Sequence, residues 1–251
     1  MMTPTSPLAT LLLAMADDEL VLGHRDAEWT GHAPILEEDI AISNIAQDEI
    51  GHALVWYTAL EKLGCGSPDA LAFERPAAAF TCARFVTYPK GDFAYTIVRQ
   101  FFFDVAEELR LRSFADGSEE ILRAPALKIL KEEAYHRLHS QGLVERLGSA
   151  TEESSRRMRA AVDAAYGQAL GLFEPLSGEA ALVASGAMRP SAELAEAWRA
   201  AVDPVLKRAG LPVPAHPVAD LGGRTGRHTE HLEALLHDLQ SVFRTIPGAS
   251  W

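Results

Sequence analysis

Apolar residues recur three and four positions apart along most of this chain, which is the pattern of amphipathic α-helices. The pattern predicts four long helices, at about residues 7–25, 35–63, 92–116 and 119–147. A smaller group follows, at about 151–173, 178–186, 191–209 and 229–245. No alternating strand pattern and no internal repeat stands out. The sequence therefore predicts an all-α fold in which the later helices pack against four long ones.

Capping and turn residues predict where these helices begin and end. Ser6, followed by a proline, is expected to be the N-cap of the first helix. Pro125 is expected to kink or restart the fourth helix near its beginning, and Gly148 is expected to stop it. Residues 210–227 are rich in Pro and Gly and predict a long irregular loop. Loops of this length often have a function or contact a partner.

Length and hydrophobic content predict one domain. A chain of 251 residues that is 48% hydrophobic can bury a substantial core. We expect a single domain over residues 1–251, with a core bundle at about 6–148 and a C-terminal helical extension at about 149–251. The apolar run 8–15 is short and leads directly into acidic residues, so it predicts neither a signal peptide nor a membrane span.

Charge and cysteine usage argue against several kinds of partner and cofactor. A formal net charge of -12 argues against nucleic acid and against an anionic membrane surface as partners. An anionic substrate would require a local basic pocket. Cys65 and Cys82 form no Cys-x-x-Cys motif, which favours a reducing cytoplasm. The lack of cysteine clusters and of a Gly-x-Gly-x-x-Gly motif predicts no iron–sulfur, flavin or NAD site.

Two Glu-x-x-His steps are the most informative chemistry in the sequence. Glu49 and His52 lie on the second predicted helix, and Glu133 and His136 lie on the fourth. Residues three apart share a helix face, so each step presents a carboxylate and an imidazole together. About one such step is expected by chance, and a solvated face with a surface histidine is the alternative interpretation. Their position on apolar stripes favours a metal site, because core-facing carboxylates are costly unless paired or metal-bound.

A single acid on the preceding helix accompanies each step. Glu19 precedes Glu49 by 30 residues, and Asp104 precedes Glu133 by 29. The repeated spacing predicts two equivalent helix pairs that bring their acids to similar depth. Glu108 lies one turn after Asp104 on the same face and remains the alternative ligand from the third helix. The candidate metal ligands are Glu19, Glu49, His52, Asp104, Glu108, Glu133 and His136.

These residue types are the donor set of carboxylate-bridged di-iron proteins. In such proteins two helices each supply a Glu-x-x-His step, and two more helices each supply one carboxylate. Carboxylate and imidazole ligands suit iron, with manganese as the alternative. A reduced di-iron centre can bind and split dioxygen, which side chains alone cannot do. On the third helix Glu107 is expected to face solvent.

Several further segments resemble the sequence of a known family. They are residues 28–41 (EWTGHAPILEEDIA), residues 44–46 (NIA), Arg99-Gln100 with Asp104, and residues 226–232 (GRHTEHL). The pair Tyr135-His136 fits as well. On these segments, nearly the whole chain resembles the PaaC-type subunit of the bacterial phenylacetyl-CoA monooxygenase, a ring epoxidase.

The resemblance implies a fold, an activity and partners. The expected fold is a ferritin-like four-helix bundle with additional C-terminal helices. The expected activity is that of an oxygenase component in phenylacetate catabolism, which epoxidises the ring of phenylacetyl-CoA with dioxygen. The expected partners are a PaaA-type catalytic subunit with a di-iron centre, a separate reductase that supplies electrons, and an acyl-CoA substrate. The implied assembly is a hetero- or homo-oligomer without nucleic acid or membrane.

At the candidate ligands the chain departs from what this resemblance implies. PaaC-type chains are expected to be structural, with a degraded ligand set. Here residues 47–52 and 131–136 resemble the helices of the catalytic subunit, and Glu19 and Asp104 fall where that subunit's carboxylates would be. Three hypotheses follow: a metal site in a structural subunit, a retained set held by hydrogen bonds and ion pairs, or an independent oxygenase. Iron storage is less favoured because helices continue after residue 150.

Overall fold

The computed structural model of the chain describes residues 6–246, and in that range it contains helices and loops but no strand. The four long helices are α1 (Pro7–Ala27), α2 (Leu36–Lys62), α5 (Phe93–Ala115) and α6 (Glu120–Ala150). The shorter ones are α3 (Pro68–Phe73), α4 (Arg84–Thr87), α7 (Glu152–Ala169), α8 (Glu179–Ala184), α9 (Ser191–Arg208), α10 (Glu230–Leu239) and α11 (Ser241–Thr245). The predicted all-α, ferritin-like class with additional C-terminal helices is confirmed. Among residues 6–246, no helix combines the length and the low polarity that crossing a membrane requires.

The described residues divide into two compact units. The first unit contains residues 6–89 and 221–246, and the second contains residues 90–220. Each unit therefore holds one pair of long helices, α1 with α2 in the first and α5 with α6 in the second. The single-domain boundaries expected from the sequence stay a prediction.

In the first unit α1 and α2 pack against each other in antiparallel directions. Near one end the Tyr57 hydroxyl donates to Asp17 at 2.7 Å, and near the other Thr30 and Ser43 share a hydrogen bond of 3.0 Å. The predicted N-cap is present, because the Ser6 hydroxyl accepts from the backbone N–H of Ala9 at 3.1 Å. This cap satisfies one of the N–H groups that the first turn leaves without a helical partner.

Two buried ion pairs fasten loops of the first unit to α1. The Arg75 guanidinium donates to Asp17, and the Arg224 guanidinium donates to Asp18. Arg224 belongs to the irregular segment 210–227, which is confirmed as a loop apart from a short 3-10 turn at Gly223–Thr225. Both aspartates are fully buried, so each carboxylate depends on its arginine for charge compensation. The ion pair between Arg224 and Asp18 therefore holds this loop against α1.

In the second unit α5 and α6 form the corresponding antiparallel pair. α7 and α9 cover α5, where Trp198 Nε1 donates to the Phe102 carbonyl at 2.8 Å. Phe102, Tyr166 and Trp198 form an edge-to-face aromatic cluster with ring centroids 5.1–5.7 Å apart. These contacts bury α5 on more than one side, which an amphipathic helix of a simple bundle would not require.

Two predicted helix boundaries differ from the structure, and one of the two outcomes expected at Pro125 is wrong. α6 does not restart at Pro125, because the proline ring disturbs only a carbonyl in the first turn, and the kink stays a prediction. Gly148 does not stop α6; an added Cβ there would lie 2.5 Å from the Ala209 carbonyl oxygen, so this glycine permits close packing instead. The predicted helix 229–245 is divided at Gln240, whose buried amide donates to the Arg75 carbonyl at 3.0 Å.

The two cysteines are free thiols, as the absence of a disulfide pattern predicts. Cys82 is fully buried, and burial raises the pKa of its thiol well above the usual value, with the negative charges of Asp17 and Asp18 acting in the same direction. Cys65 is half-buried. A thiol held in its protonated form is a weak nucleophile, so Cys82 is unsuited to catalysis.

Candidate metal centre

Three consecutive acids on α1 are all buried, and they have different neighbours. Asp17, Asp18 and Glu19 each have 0% of their surface exposed. Successive residues on a helix point about 100° apart, so neighbouring acids cannot share one environment. Asp17 and Asp18 face the arginines of the loops, whereas Glu19 faces α2. The helix thus separates two structural aspartates from the acid that the sequence predicted as a ligand.

The structure brings Glu19, Glu49 and His52 together in the first unit, and we call these three residues the first half-site. Nδ1 of His52 lies 3.7 Å from a carboxylate oxygen of Glu19 and 3.8 Å from one of Glu49. One donor atom from each residue lies within 4.8 Å of the other two, and all three side chains are buried. The helical step of three residues places Glu49 and His52 on the same face of α2, as their spacing predicted.

Asp104, Glu133 and His136 are fully buried in the second unit, and we call them the second half-site. Nδ1 of His136 lies 3.3 Å from a carboxylate oxygen of Glu133. Asp104 is held differently, because its two oxygens accept hydrogen bonds from the amide of Gln100, at 2.7 Å, and from the hydroxyl of Ser140. These hydrogen bonds fix the orientation of the Asp104 carboxylate between α5 and α6.

Glu108, the alternative ligand on α5, lies in an ion-pair network. Its carboxylate accepts hydrogen bonds from Arg112 on the same helix, at 2.7 Å, and from Arg137 on α6. Burial by itself raises the pKa of Glu108, but the hydrogen bonds from the two arginines outweigh it and leave the pKa below its usual value. Both arginines compete with a metal ion for these oxygens, so the surroundings of Asp104 are better suited to a ligand than those of Glu108.

The expectation that Glu107 faces solvent is wrong. Its side chain is only 1% exposed, and Arg110 lies 3.2 Å from its carboxylate. The prediction assumed one buried face on α5, but α6, α7 and α9 all pack against this helix. A buried acid one turn from a buried arginine is therefore part of the packing of the second unit.

Two residues hold Asp104, of which the sequence indicated Gln100 only as part of the family resemblance and did not indicate Ser140. Gln100 lies four residues before Asp104, and Ser140 lies four residues after His136. Residues four apart on a helix are neighbours on one face, so both were within reach of the predicted ligands. The signal was present in the spacing, but short polar side chains at such positions are too common to stand out.

The first half-site passes a simple test of fit for a metal ion. Two ligand atoms that each lie about 2.1 Å from one ion are separated by at most about 4.2 Å, which is their distance when they lie on opposite sides of the ion. The separations of 3.7 and 3.8 Å are below that limit. Two buried carboxylates beside one imidazole concentrate negative charge, which a divalent cation would compensate. Oxygen and imidazole nitrogen donors together are typical of iron and manganese sites.

An open cavity of about 420 Å³ lies in the first unit beside α2 and α3. Its lining is mostly apolar, with Leu20, Ile50 and Phe73 among the contributing side chains. Among the described residues that line it, Asp69 is charged and none is a lysine or an arginine. The cavity therefore suits an apolar group and lacks the cationic side chains that would hold the phosphates of an acyl-CoA.

Two comparisons with known proteins match nearly the whole chain. A family model described as phenylacetic acid catabolic protein matches residues 2–251. A relative from Escherichia coli (strain K12), the C-type subunit of 1,2-phenylacetyl-CoA epoxidase, is 36% identical over 245 residues. The match covers 97% of this chain and 99% of the relative, so it extends over both units and both half-sites.

Proposed function

Because the chain belongs to the phenylacetic acid catabolic protein family, we propose that it is the PaaC-type component of an oxygenase that epoxidises the ring of phenylacetyl-CoA with dioxygen. The observation that carries this proposal is the end-to-end match to the C-type subunit of an epoxidase. A match confined to the Glu-x-x-His steps would support only a shared metal-binding motif. Similarity along the whole length also includes the surfaces through which a subunit is assembled.

In this proposal the chain works with other proteins. The partners are a PaaA-type catalytic subunit and a reductase that supplies the electrons, since the sequence contains no motif for a flavin, a nicotinamide or an iron–sulfur cluster. The open cavity beside α2 has no basic side chain among its described lining residues, so it does not itself provide a site for the acyl-CoA phosphates. The cytoplasm is the proposed location, on the basis of cysteine usage.

The chain itself holds iron, or manganese as the alternative, at its half-sites. The ligands in the first half-site are Glu19, Glu49 and His52. The ligands in the second half-site are Asp104, Glu133 and His136. A bound, reduced iron centre supplies the activation of dioxygen. The side chains supply negative charge and a buried environment, which favours the metal and limits access of water. Gln100 and Ser140 hold the carboxylate of Asp104 through hydrogen bonds, and a bound metal would share or displace these donors.

A structural role without metal is the second candidate function. The observation that favours it is the hydrogen bonding of Asp104, because a carboxylate whose oxygens accept from Gln100 and Ser140 is satisfied without an ion. In that case the second half-site stabilises the α5–α6 pair, and the chain acts as a scaffold for the catalytic subunit.

Co-expression with the catalytic subunit and the reductase tests the proposal. We expect a stable complex by size-exclusion chromatography, and oxygen consumption that depends on phenylacetyl-CoA and on this chain. Full activity of the catalytic subunit without this chain, and no complex between them, would contradict the proposed function.

Two substitutions then separate the catalytic from the structural role. Glu49→Ala and His136→Ala remove one ligand from each half-site, and Glu61→Ala is the control at an exposed position of α2. If the metal supports turnover, the first two variants lose activity in an intact complex, and the control does not. Unchanged activity in all three variants would assign the chain a scaffold role.

A further inference from the structure

Helices α1 and α2 approach each other very closely at Gly23. A Cβ atom added to Gly23 would lie 3.0 Å from the carbonyl oxygen of Ala46, 3.0 Å from Cβ of Glu49 and 3.0 Å from Cγ1 of Ile50. Glycine in a helix interior costs about 0.5–1 kcal/mol relative to alanine. At Gly23 the close approach of α2 leaves no space for a side chain, which offsets this cost.

This contact lies next to the first half-site. Gly23 follows Glu19 by four residues, so both lie on the face of α1 that packs against α2. One of the three atoms that an added methyl group would meet is Cβ of Glu49, the atom that carries the carboxylate arm of that ligand. A displacement of α2 at this level would therefore move Glu49 relative to Glu19.

We propose that Gly23 is a positioning residue for the first half-site, because its missing side chain lets Glu19 and Glu49 approach one metal ion together with His52. This inference rests on the proposed metal centre and adds a residue that touches neither metal nor substrate. Relief of a 3.0 Å contact with a backbone oxygen requires a shift of a few tenths of an ångström. Metal–ligand distances tolerate only about 0.2 Å, so a shift of this size weakens binding.

The chain offers two matched controls for the same substitution. Gly51 lies on α2 directly before His52, and Gly142 lies on α6. An added Cβ at either glycine would meet no atom within 4 Å. Gly51→Ala and Gly142→Ala therefore introduce the same methyl group into a long helix without a contact. Both are expected to stabilise the metal-free protein by up to about 1 kcal/mol through helix propensity.

The experiment compares metal binding with folding in the isolated full-length chain. Metal-free protein is titrated with Fe(II) under anaerobic conditions and separately with Mn(II), and thermal unfolding of each metal-free variant is recorded. We expect Gly23→Ala to remain folded at the titration temperature while its metal affinity falls about tenfold or more. A loss of this size is typical when a residue that positions a metal ligand is changed. Gly51→Ala and Gly142→Ala are expected to bind metal as the wild type does.

A double variant keeps the test decisive if Gly23→Ala folds poorly. Ile50→Ala removes Cγ1, which is one of the three close contacts, so Gly23→Ala/Ile50→Ala is expected to regain part of the lost affinity and stability. The effect of Ile50→Ala alone is measured and subtracted. If the double variant then regains no affinity or stability relative to Gly23→Ala, a steric origin of the loss is contradicted.

The other outcomes are equally informative. Equal affinity of Gly23→Ala and wild type overturns the positioning role and leaves the metal centre in place. Equal weakening by Gly51→Ala also overturns it, because the effect would then not depend on the close contact. If the wild type binds neither metal, the proposed metal centre fails, and the positioning role of Gly23 fails with it.

Discussion

The two half-sites have the same sequence pattern but different surroundings. In the first, the single acid Glu19 lies 3.7 Å from the imidazole of His52. In the second, the single acid Asp104 accepts hydrogen bonds from Gln100 and Ser140. A hydrogen-bond donor that already contacts a carboxylate oxygen must be displaced by a metal ion or share the oxygen with it. Either change reduces the free energy gained on metal binding. The second half-site can therefore persist without a metal ion, whereas in the first the carboxylates of Glu19 and Glu49 lie near one imidazole.

A second contrast lies within α1 and supports the same reasoning. Asp17 and Asp18 are compensated by Arg75 and Arg224, whereas the adjacent Glu19 faces a histidine and a second carboxylate. Arginine remains charged at all accessible pH values and leaves no role for a metal. Acids at consecutive positions thus have structural roles in two cases and a proposed ligand role in the third.

The largest effect is expected from Arg224→Met. This change leaves the fully buried carboxylate of Asp18 without its arginine, and breaking one side of a buried pair costs about 3–5 kcal/mol. Urea unfolding of the metal-free protein measures the loss. Arg189→Met is the control, because its ion pair with Glu193 is exposed and contributes little. Similar stability of both variants would show that Asp18 does not depend on Arg224.

Glu19→Gln and Asp18→Asn should have opposite effects. We expect Glu19→Gln to lower metal affinity by about 100-fold or more, which exceeds the loss caused by removing a residue that only supports a ligand. The metal-free variant should unfold at an unchanged or higher temperature. Asp18→Asn should destabilise the metal-free protein because it leaves Arg224 buried beside a neutral side chain. Metal titration and thermal unfolding of both variants test the contrast within α1. Equal behaviour would contradict the division of roles.

Ser140→Ala sharpens the contrast between the half-sites. Loss of the hydroxyl removes one hydrogen bond to Asp104, which costs about 1 kcal/mol of stability. It also releases a carboxylate oxygen, so we expect metal binding at the second half-site to strengthen or stay unchanged. Stability from urea unfolding and the number of metal ions per chain are the two measurements. Weaker metal binding would instead identify Ser140 as a support for a metal-bound carboxylate.

The smallest effect on metal binding is expected from Glu108→Gln, because both arginines of its network compete with a metal. The lowered pKa of Glu108 means that its stabilising contribution is present above its usual pKa of 4.5 and is lost as the pH falls through the lowered value. The variant should therefore lose stability at pH 7 and differ less from the wild type in acid. Thermal unfolding at both pH values checks this. A loss of metal would return Glu108 to the ligand set in place of Asp104.

Periodicity and spacing predicted much of the fold and the placement of the candidate ligands. The N-cap at Ser6, the four long helices and the shared faces of the Glu-x-x-His steps follow from interactions within one helix, which local sequence encodes. The burial of Glu107 and the break at Gln240 depend on contacts between distant segments. The same is true of the arginine partners of Asp17 and Asp18, since Arg224 lies 206 residues from Asp18. Local patterns contain no information about such pairings.

The metal content of the purified chain shows whether its buried carboxylates and histidines bind iron. The wild type and Glu49→Ala are reconstituted with Fe(II) under anaerobic conditions, freed of excess metal and measured for iron per chain, with exposed Glu61→Ala as the control. We expect bound iron in the wild type and the control, and loss of it in Glu49→Ala. Less than about a tenth of an iron or manganese per wild-type chain after reconstitution would contradict it, because a folded and complete ligand set should retain its metal.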